Sequence, residues 1–386
     1  MFKTSRIIPL PILLAVLLGA CQPAPAAADP NVALTQAFQT ALVQINQPAA
    51  TPQITDTPIP TPTVPRTPPA LPPVYVSKTL NPLDAPHTYI QDTCQYLKDK
   101  WNPNNAAPGT IVFNIMFHGI VKSQADVGTN GIGVGAFRSM MDALHEQGFQ
   151  AINTAQLADF LEHNAKIPPR SVVLIADDRH YAEYFDHFRD YYNQWGWPVV
   201  NGWISFEDSI RDAALPGNLA LNAEGWVDYE SHGYIHNINM SDSSTDEFIK
   251  GEFEGSINDL KTNFNKTPIA IIWPGGSFGV RPAQFARQYG YRLGFTINPR
   301  GPVMYNWVPL ADQPDPARPA FLPEGYVNDP LMTLPRYWPY QVLDHLDSIR
   351  NIGQEAAAYA EQNKQTELDY YDIVCAPTYG PIPAAQ

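Results

Sequence analysis

Positive charge is scarce in this sequence: 24 Lys plus Arg stand against 38 Asp plus Glu, for a formal charge of −14. With no basic stripe to neutralise a phosphate backbone, nucleic acid is excluded as a partner. Cysteine is scarcer still, three residues in 386. No internal repeat is found. The apolar run at the amino terminus, residues 7–18, is too short to span a bilayer as a helix. What the chain does have is 44% apolar residues, enough to build a core, so it is not wholly disordered. Its length suits two average domains or one large barrel.

The first twenty residues carry Lys3 and Arg6 ahead of the apolar run, which marks residues 1–20 as an export signal. The run ends Leu18-Gly19-Ala20-Cys21, which resembles a bacterial lipobox. That resemblance implies cleavage before Cys21, a lipid on its sulfur, and an exported lipoprotein held on the cell membrane with its body outside the cytoplasm. Removing the signal takes away two cations and no anions. Proline is dense further on: ten of the 26 residues from Pro48 to Pro73. Such a segment resists helix and sheet and favours extended polyproline II, so residues 21–74 are expected to be a disordered Pro/Thr-rich stalk. Within it, residues 31–45 have apolar residues near helical spacing, consistent with a short transient helix.

Residues 75–386 have the composition of one folded domain, a length that suits one α/β barrel. Apolar, β-branched runs at 110–117, 171–176, 198–204, 268–273 and 293–297 read as strands. Amphipathic stretches at 137–147, 155–163, 181–195 and 248–264 read as helices. Continuous Val/Ile/Leu runs separated by helices indicate parallel strands buried on both faces. Residues 298–331, rich in Pro, Asp and aromatics, are expected as a long loop near the mouth of the barrel.

The run 171–176 leads directly into Asp177-Asp178-Arg179-His180. Adjacent carboxylates at the carboxyl end of a buried strand stand where α/β barrels place their sites, although Asp is also favoured at a helix start. Downstream lies His232-Gly233-Tyr234-Ile235-His236. Residues i and i+4 share a side in a helix or a strand, so both imidazoles can face one point. With Asp178 they make one carboxylate and two imidazoles, a plausible metal set that leaves positions for water and substrate. The Glu of the metalloprotease helix is missing, which disfavours peptide hydrolysis by that route.

Together these segments resemble the polysaccharide deacetylase family, the NodB-homology carbohydrate esterases, and in pattern the extracellular poly-N-acetylglucosamine deacetylase group. Ile115-Met116-Phe117-His118 is similar to the opening strand. Residues 148–157 and 167–178 match the next stretch and the first catalytic motif. Ser231-His232 with His236 match the second motif. Ile272-Trp273-Pro274-Gly275-Gly276 stands where the proline-centred third motif belongs, and Leu334-Pro335-Arg336 resembles a late strand. The resemblance, over about residues 110–340, implies a distorted (β/α)7 barrel with its site at the mouth. It implies a divalent metal, zinc first, held by Asp178, His232 and His236, with Asp177 as general base. The substrate implied is a polysaccharide bearing N-acetyl groups, with O-acetyl esters as an alternative.

Departures from the pattern bear on activity. Arg179 replaces the usual Gly and is placed to pair with a carboxylate or block a subsite, and Ile272 replaces the usual Arg. Arg336 is the natural substitute for orienting Asp177, with a surface or structural place as the alternative. No Leu-x-His motif supplies the acid. His118 is preferred, because the first strand of a barrel lies beside the last; His345 sits in a stretch that reads as an amphipathic helix. Trp273 and Tyr234 are candidates for stacking on sugar faces, with Pro274 beside them. A degenerate barrel that binds glycan without turnover is the competing reading. With Cys21 lipidated in an exported protein, Cys94 and Cys375 remain as a pair near the two ends of the domain, and they are expected to form a disulfide.

Overall fold

The computed structural model describes residues 66–386 apart from 129, 236–238, 317, 320 and 386, together with Thr35 and Gln39. The signal segment, Cys21 and nearly all of the stalk therefore lie outside the described residues. The chain divides between Pro65 and Arg66, so the second unit takes in the last part of the proline-rich stretch as well as residues 75–386. Among the described residues no helix is long and apolar enough to cross a membrane.

Six parallel strands form the wall of the second unit: β1 Ile111–Phe117, β2 Arg170–Ala176, β3 Val199–Trp203, β4 Val227–Ser231, β5 Ala270–Ile272 and β6 Leu293–Phe295. They are hydrogen-bonded in that order, and a two-residue strand at Gln150–Ala151 pairs beside the start of β2. Residues 334–337 occupy the seventh place. Leu334 bridges in parallel to Phe295 of β6 and Tyr337 to Ile115 of β1. Leu334 N–H donates to Gly294 O at 2.8 Å and Met116 N–H to Tyr337 O at 3.0 Å. Asn114, the polar residue of β1, is buried where its side-chain amide donates to Pro335 O at 3.0 Å, tying the closing segment to the first strand. Seven staves thus complete a distorted (β/α) barrel.

Strand parity divides the core. Val112, Val173, Ile175, Val200, Ile272, Phe295 and Leu334 pack together in the barrel interior. Phe113, Ile115, Val172 and Leu174 point outward, against Phe137, Met140 and Leu144 of the helix Val134–Glu146 and Ile349 and Ile352 of the helix Val342–Tyr370. A third cluster, with Phe253 and Tyr291, covers the outer face of β5.

The expected strands and helices fall within a few residues of those observed, except that 181–195 is split. A 3-10 turn, Ala182–Phe185, precedes the helix Asp186–Trp195. The expected loop at 298–331 is partly ordered and partly elsewhere. Val303 bridges to Val112 near the start of β1, and strand Val308–Ala311 pairs antiparallel with Asp84–His87. Buried Val303, Val308 and Leu310 hold this stretch to the core near the strand starts, away from the mouth. At that end too, Cys94 and Cys375 are joined by a disulfide.

Candidate functional site

Parity also aims the polar residues at the strand ends. Met116 and Ile175 precede His118 and Asp177 by two residues, and Leu334 precedes Arg336 by two, so all three side chains turn toward the barrel axis. Asp177 is buried, its N–H donating to Phe117 O at 2.8 Å. Arg336, fully buried, donates from Nη1 to Asp177 Oδ1 and from Nε to Thr296 O at 2.7 Å. Nε2 of His118 lies 3.7 Å from the other oxygen, Asp177 Oδ2. Burial alone would raise the Asp177 pKa. The Arg336 charge, helped by His118 and His232, outweighs it and holds the carboxyl below its ordinary value. His118 moves down: burial dominates over the pull of Asp177 and Asp178.

Asp178 adopts φ +71°, a left-handed conformation uncommon for residues other than glycine. It is therefore no ordinary helix cap, and the turn sends its carboxylate toward His232, with Oδ1 3.6 Å from Nε2. The other ring nitrogen, Nδ1, is 2.7 Å from Ile272 O. A carbonyl can only accept, so Nδ1 carries the proton and Nε2 presents its lone pair on the side of Asp178. Ile272, where the family pattern has Arg, thus serves through its main chain.

An imidazole lone pair beside a carboxylate is a donor set that suits zinc. Among the described residues no group of three metal-ligating side chains stands together. His236, the third ligand expected from the sequence, lies outside the described residues.

The other candidates divide. Trp273 is at 0% exposure, its Nε1 donating to Met332 O at 2.8 Å and its ring against Phe253. Ile272 takes the inward position, so Trp273 must face outward into the core, which corrects the expectation that it stacks on sugar. Pro274 is likewise buried, opening the turn Pro274–Gly276. Tyr234 is half-buried near the mouth, its ring edge-on to exposed Phe206 at 5.6 Å. His345 lies on the helix Val342–Tyr370 with its ring 5.1 Å from that of Tyr337. Tyr337 points out of the barrel where Arg336 points in, so His345 is on the far side of the wall. Arg179 reaches toward the loop after β3. It donates to Ile204 O at 3.0 Å and Phe206 O at 2.8 Å and pairs with Asp208 at 2.5 Å. It braces the loop after β3.

Sequence reasoning missed two neighbours. Trp338 stacks on His118 with ring centroids 5.0 Å apart; its place two residues after Arg336, on the same face of the strand, was the available signal. His180 stacks on Tyr184 at 3.6 Å. Burial pushes the His180 pKa down to about 4 against the pull of Asp178, which leaves it neutral near pH 7.

No known protein-family model matches the chain, and no curated protein matches it. Among solved structures the chain is similar to the Streptococcus pyogenes deacetylase PplD in complex with acetate, with 16% identity, 62% of this chain and 98% of that one covered, and a TM-score of 0.49. It is similar to IcaB from Ammonifex degensii, with 14% identity, 62% and 97% covered, and a TM-score of 0.47. A polysaccharide deacetylase from Bacillus cereus is similar at 15% identity over 62% and 69%, with a TM-score of 0.45.

Proposed function

We propose that this chain is a metal-dependent hydrolase that removes N-acetyl groups from an N-acetylglucosamine-containing polysaccharide outside the cytoplasm, held to the membrane by a lipid on Cys21. One observation carries the catalytic reading: a buried Asp177 has one oxygen on Arg336 and the other 3.7 Å from His118, with the Asp178–His232 pair beside it. A base for water, a second proton carrier and a donor pair for a cation thus converge at one strand-end mouth.

Asp178 and His232, with His236, would hold the ion. When bound, a divalent metal such as zinc polarises the acetyl carbonyl and acidifies water. The chain's own residues handle the proton. Asp177, kept ionised by Arg336, accepts a proton from the attacking water. Its other oxygen faces His118 across 3.7 Å, a gap that has to shorten for the proton to pass to the ring, which delivers it to the departing amine. The low pKa of His118 makes its protonated form a willing donor. Trp338, stacked on the ring, fixes the direction of delivery.

Acetate release from N-acetylglucosamine oligomers by the zinc-loaded full chain tests the reading. Asp177→Asn is expected to lower the rate by about 10²- to 10⁴-fold, the range for loss of a general base. No release from any of several glycans, with zinc bound, would leave a glycan-binding barrel without turnover.

A further inference from the structure

The turn at 233–235, directly after His232, is held from outside the mouth by a carboxylate. Glu252 lies on the helix Asp246–Phe264 and is buried. Its Oε2 accepts from Tyr234 N–H at 2.8 Å, and both its oxygens accept from Ile235 N–H at 2.9 and 3.0 Å. These are the two residues immediately before His236, in a turn that makes no helix or strand of its own. The residue between His232 and this pair is fitted to the same contact. Gly233 has φ +76°, and a Cβ there would sit 2.9 Å from Glu252 Oε2 and 2.9 Å from Pro274 Cγ. Glycine therefore serves two needs, the left-handed turn and the close approach of the carboxylate.

We infer that Glu252 is a positioning residue for the metal site, setting the conformation of the turn at 233–235 that follows His232; this rests on the deacetylase reading, which supplies the metal. A chain with these two part-buried main-chain donors and no carboxylate must either rotate the turn to find other acceptors or give the donors up to water. Either outcome changes the turn that adjoins His232. Outer contacts of this kind typically change metal affinity by 10- to 100-fold when removed.

Equilibrium competition between the purified full chain and a chelator, with Zn²⁺ alone as the probe, reads the effect. Glu252→Ala is expected to weaken zinc binding by about 10-fold or more, and Glu252→Gln, which keeps one acceptor oxygen, by less. Leu260→Ala on the same helix, far from the turn along its axis, is expected to lower the melting temperature of the metal-free protein while zinc affinity stays unchanged. Zinc binding by the unaltered chain with equal affinity in both Glu252 variants overturns this inference alone. Absence of zinc binding by the unaltered chain overturns it together with the metal-dependent reading.

Discussion

The buried ion pair of Asp177 and Arg336 couples the chemistry of the site to pH. Asp177 is held below its ordinary pKa, chiefly by Arg336 acting against burial. Its pairing therefore stabilises the fold above the unfolded carboxyl pKa of about 4, and this contribution is lost as the pH falls through the native value. Replacing Arg336 removes the opposing charge and leaves burial to act alone, so the Asp177 carboxyl rises. In Arg336→Gln the acid limb of the acetate-release profile is expected to move to higher pH. Arg336→Lys, which keeps a cation without the fork that also reaches Thr296, is expected to move it less. Leaving a buried carboxylate unpaired typically costs about 3–5 kcal/mol, so the profile is taken at a temperature where circular dichroism shows both variants folded. An acid limb unmoved in Arg336→Gln would mean that Asp177 does not set it.

Elements were legible in the sequence to very different degrees. β1 and β2 are seven-residue runs almost wholly apolar, and both lie buried between helices as such runs require. The helix Ser209–Glu224 was not legible, because Pro216 and Gly217 interrupt its pattern. Its middle is held by tertiary contacts: Gly217 lies against Ala182, and Asn218 bonds to Asn201, His180 O and Tyr229. The 29-residue helix Val342–Tyr370 also escaped beyond its first turns. It crosses the start of β1 at Gly353, where a Cβ would meet Ile111 Cγ2 at 2.8 Å and Gly109 O at 2.9 Å. Gly353→Val would have to push this helix off the barrel wall. Against the gain in helix propensity, overpacking is expected to win and to destabilise the domain by about 1–3 kcal/mol in urea unfolding. A variant as stable as the parent would show that the crossing yields.

At the scale of the whole molecule, one end of the barrel carries chemistry and the other carries the two ends of the second unit. The proline-rich entry runs beside the helix Val342–Tyr370: Tyr359 donates to Pro73 O at 2.8 Å, Trp307 to Tyr75 O at 2.8 Å and Tyr75 to Glu355 at 2.8 Å. The Cys94–Cys375 bridge closes a loop with a sequence separation of 281. A loop that long gives a stabilisation of about 5–6 kcal/mol in the chain-entropy account. Because His118, Asp177 and His232 stand at the opposite ends of the strands, reduction is expected to lower the melting temperature while leaving acetate release at 25 °C unchanged. A parallel loss of activity well below the new melting temperature would place the bridge in contact with the site.

Sequence alone determined which stretches are buried strands, which end of them carries carboxylates and imidazoles, and that the proline-rich entry differs in kind from the domain after it. These are local properties: period, composition and the order of residues along one chain. It had Asp177, Asp178, His118 and His232 as candidates and left Arg336 undecided between a surface place and the site. Only closure of the barrel resolved that, because residues 334–337 pair with β6 on one side and β1 on the other and so bring Arg336 onto Asp177, 159 positions away. The same closure excluded Trp273 by a single step of strand parity, turned Arg179 onto the loop after β3, and put His345 behind the wall. Facing is a tertiary property: a one-residue change in register moves a side chain between the mouth and the core, and composition carries no record of it.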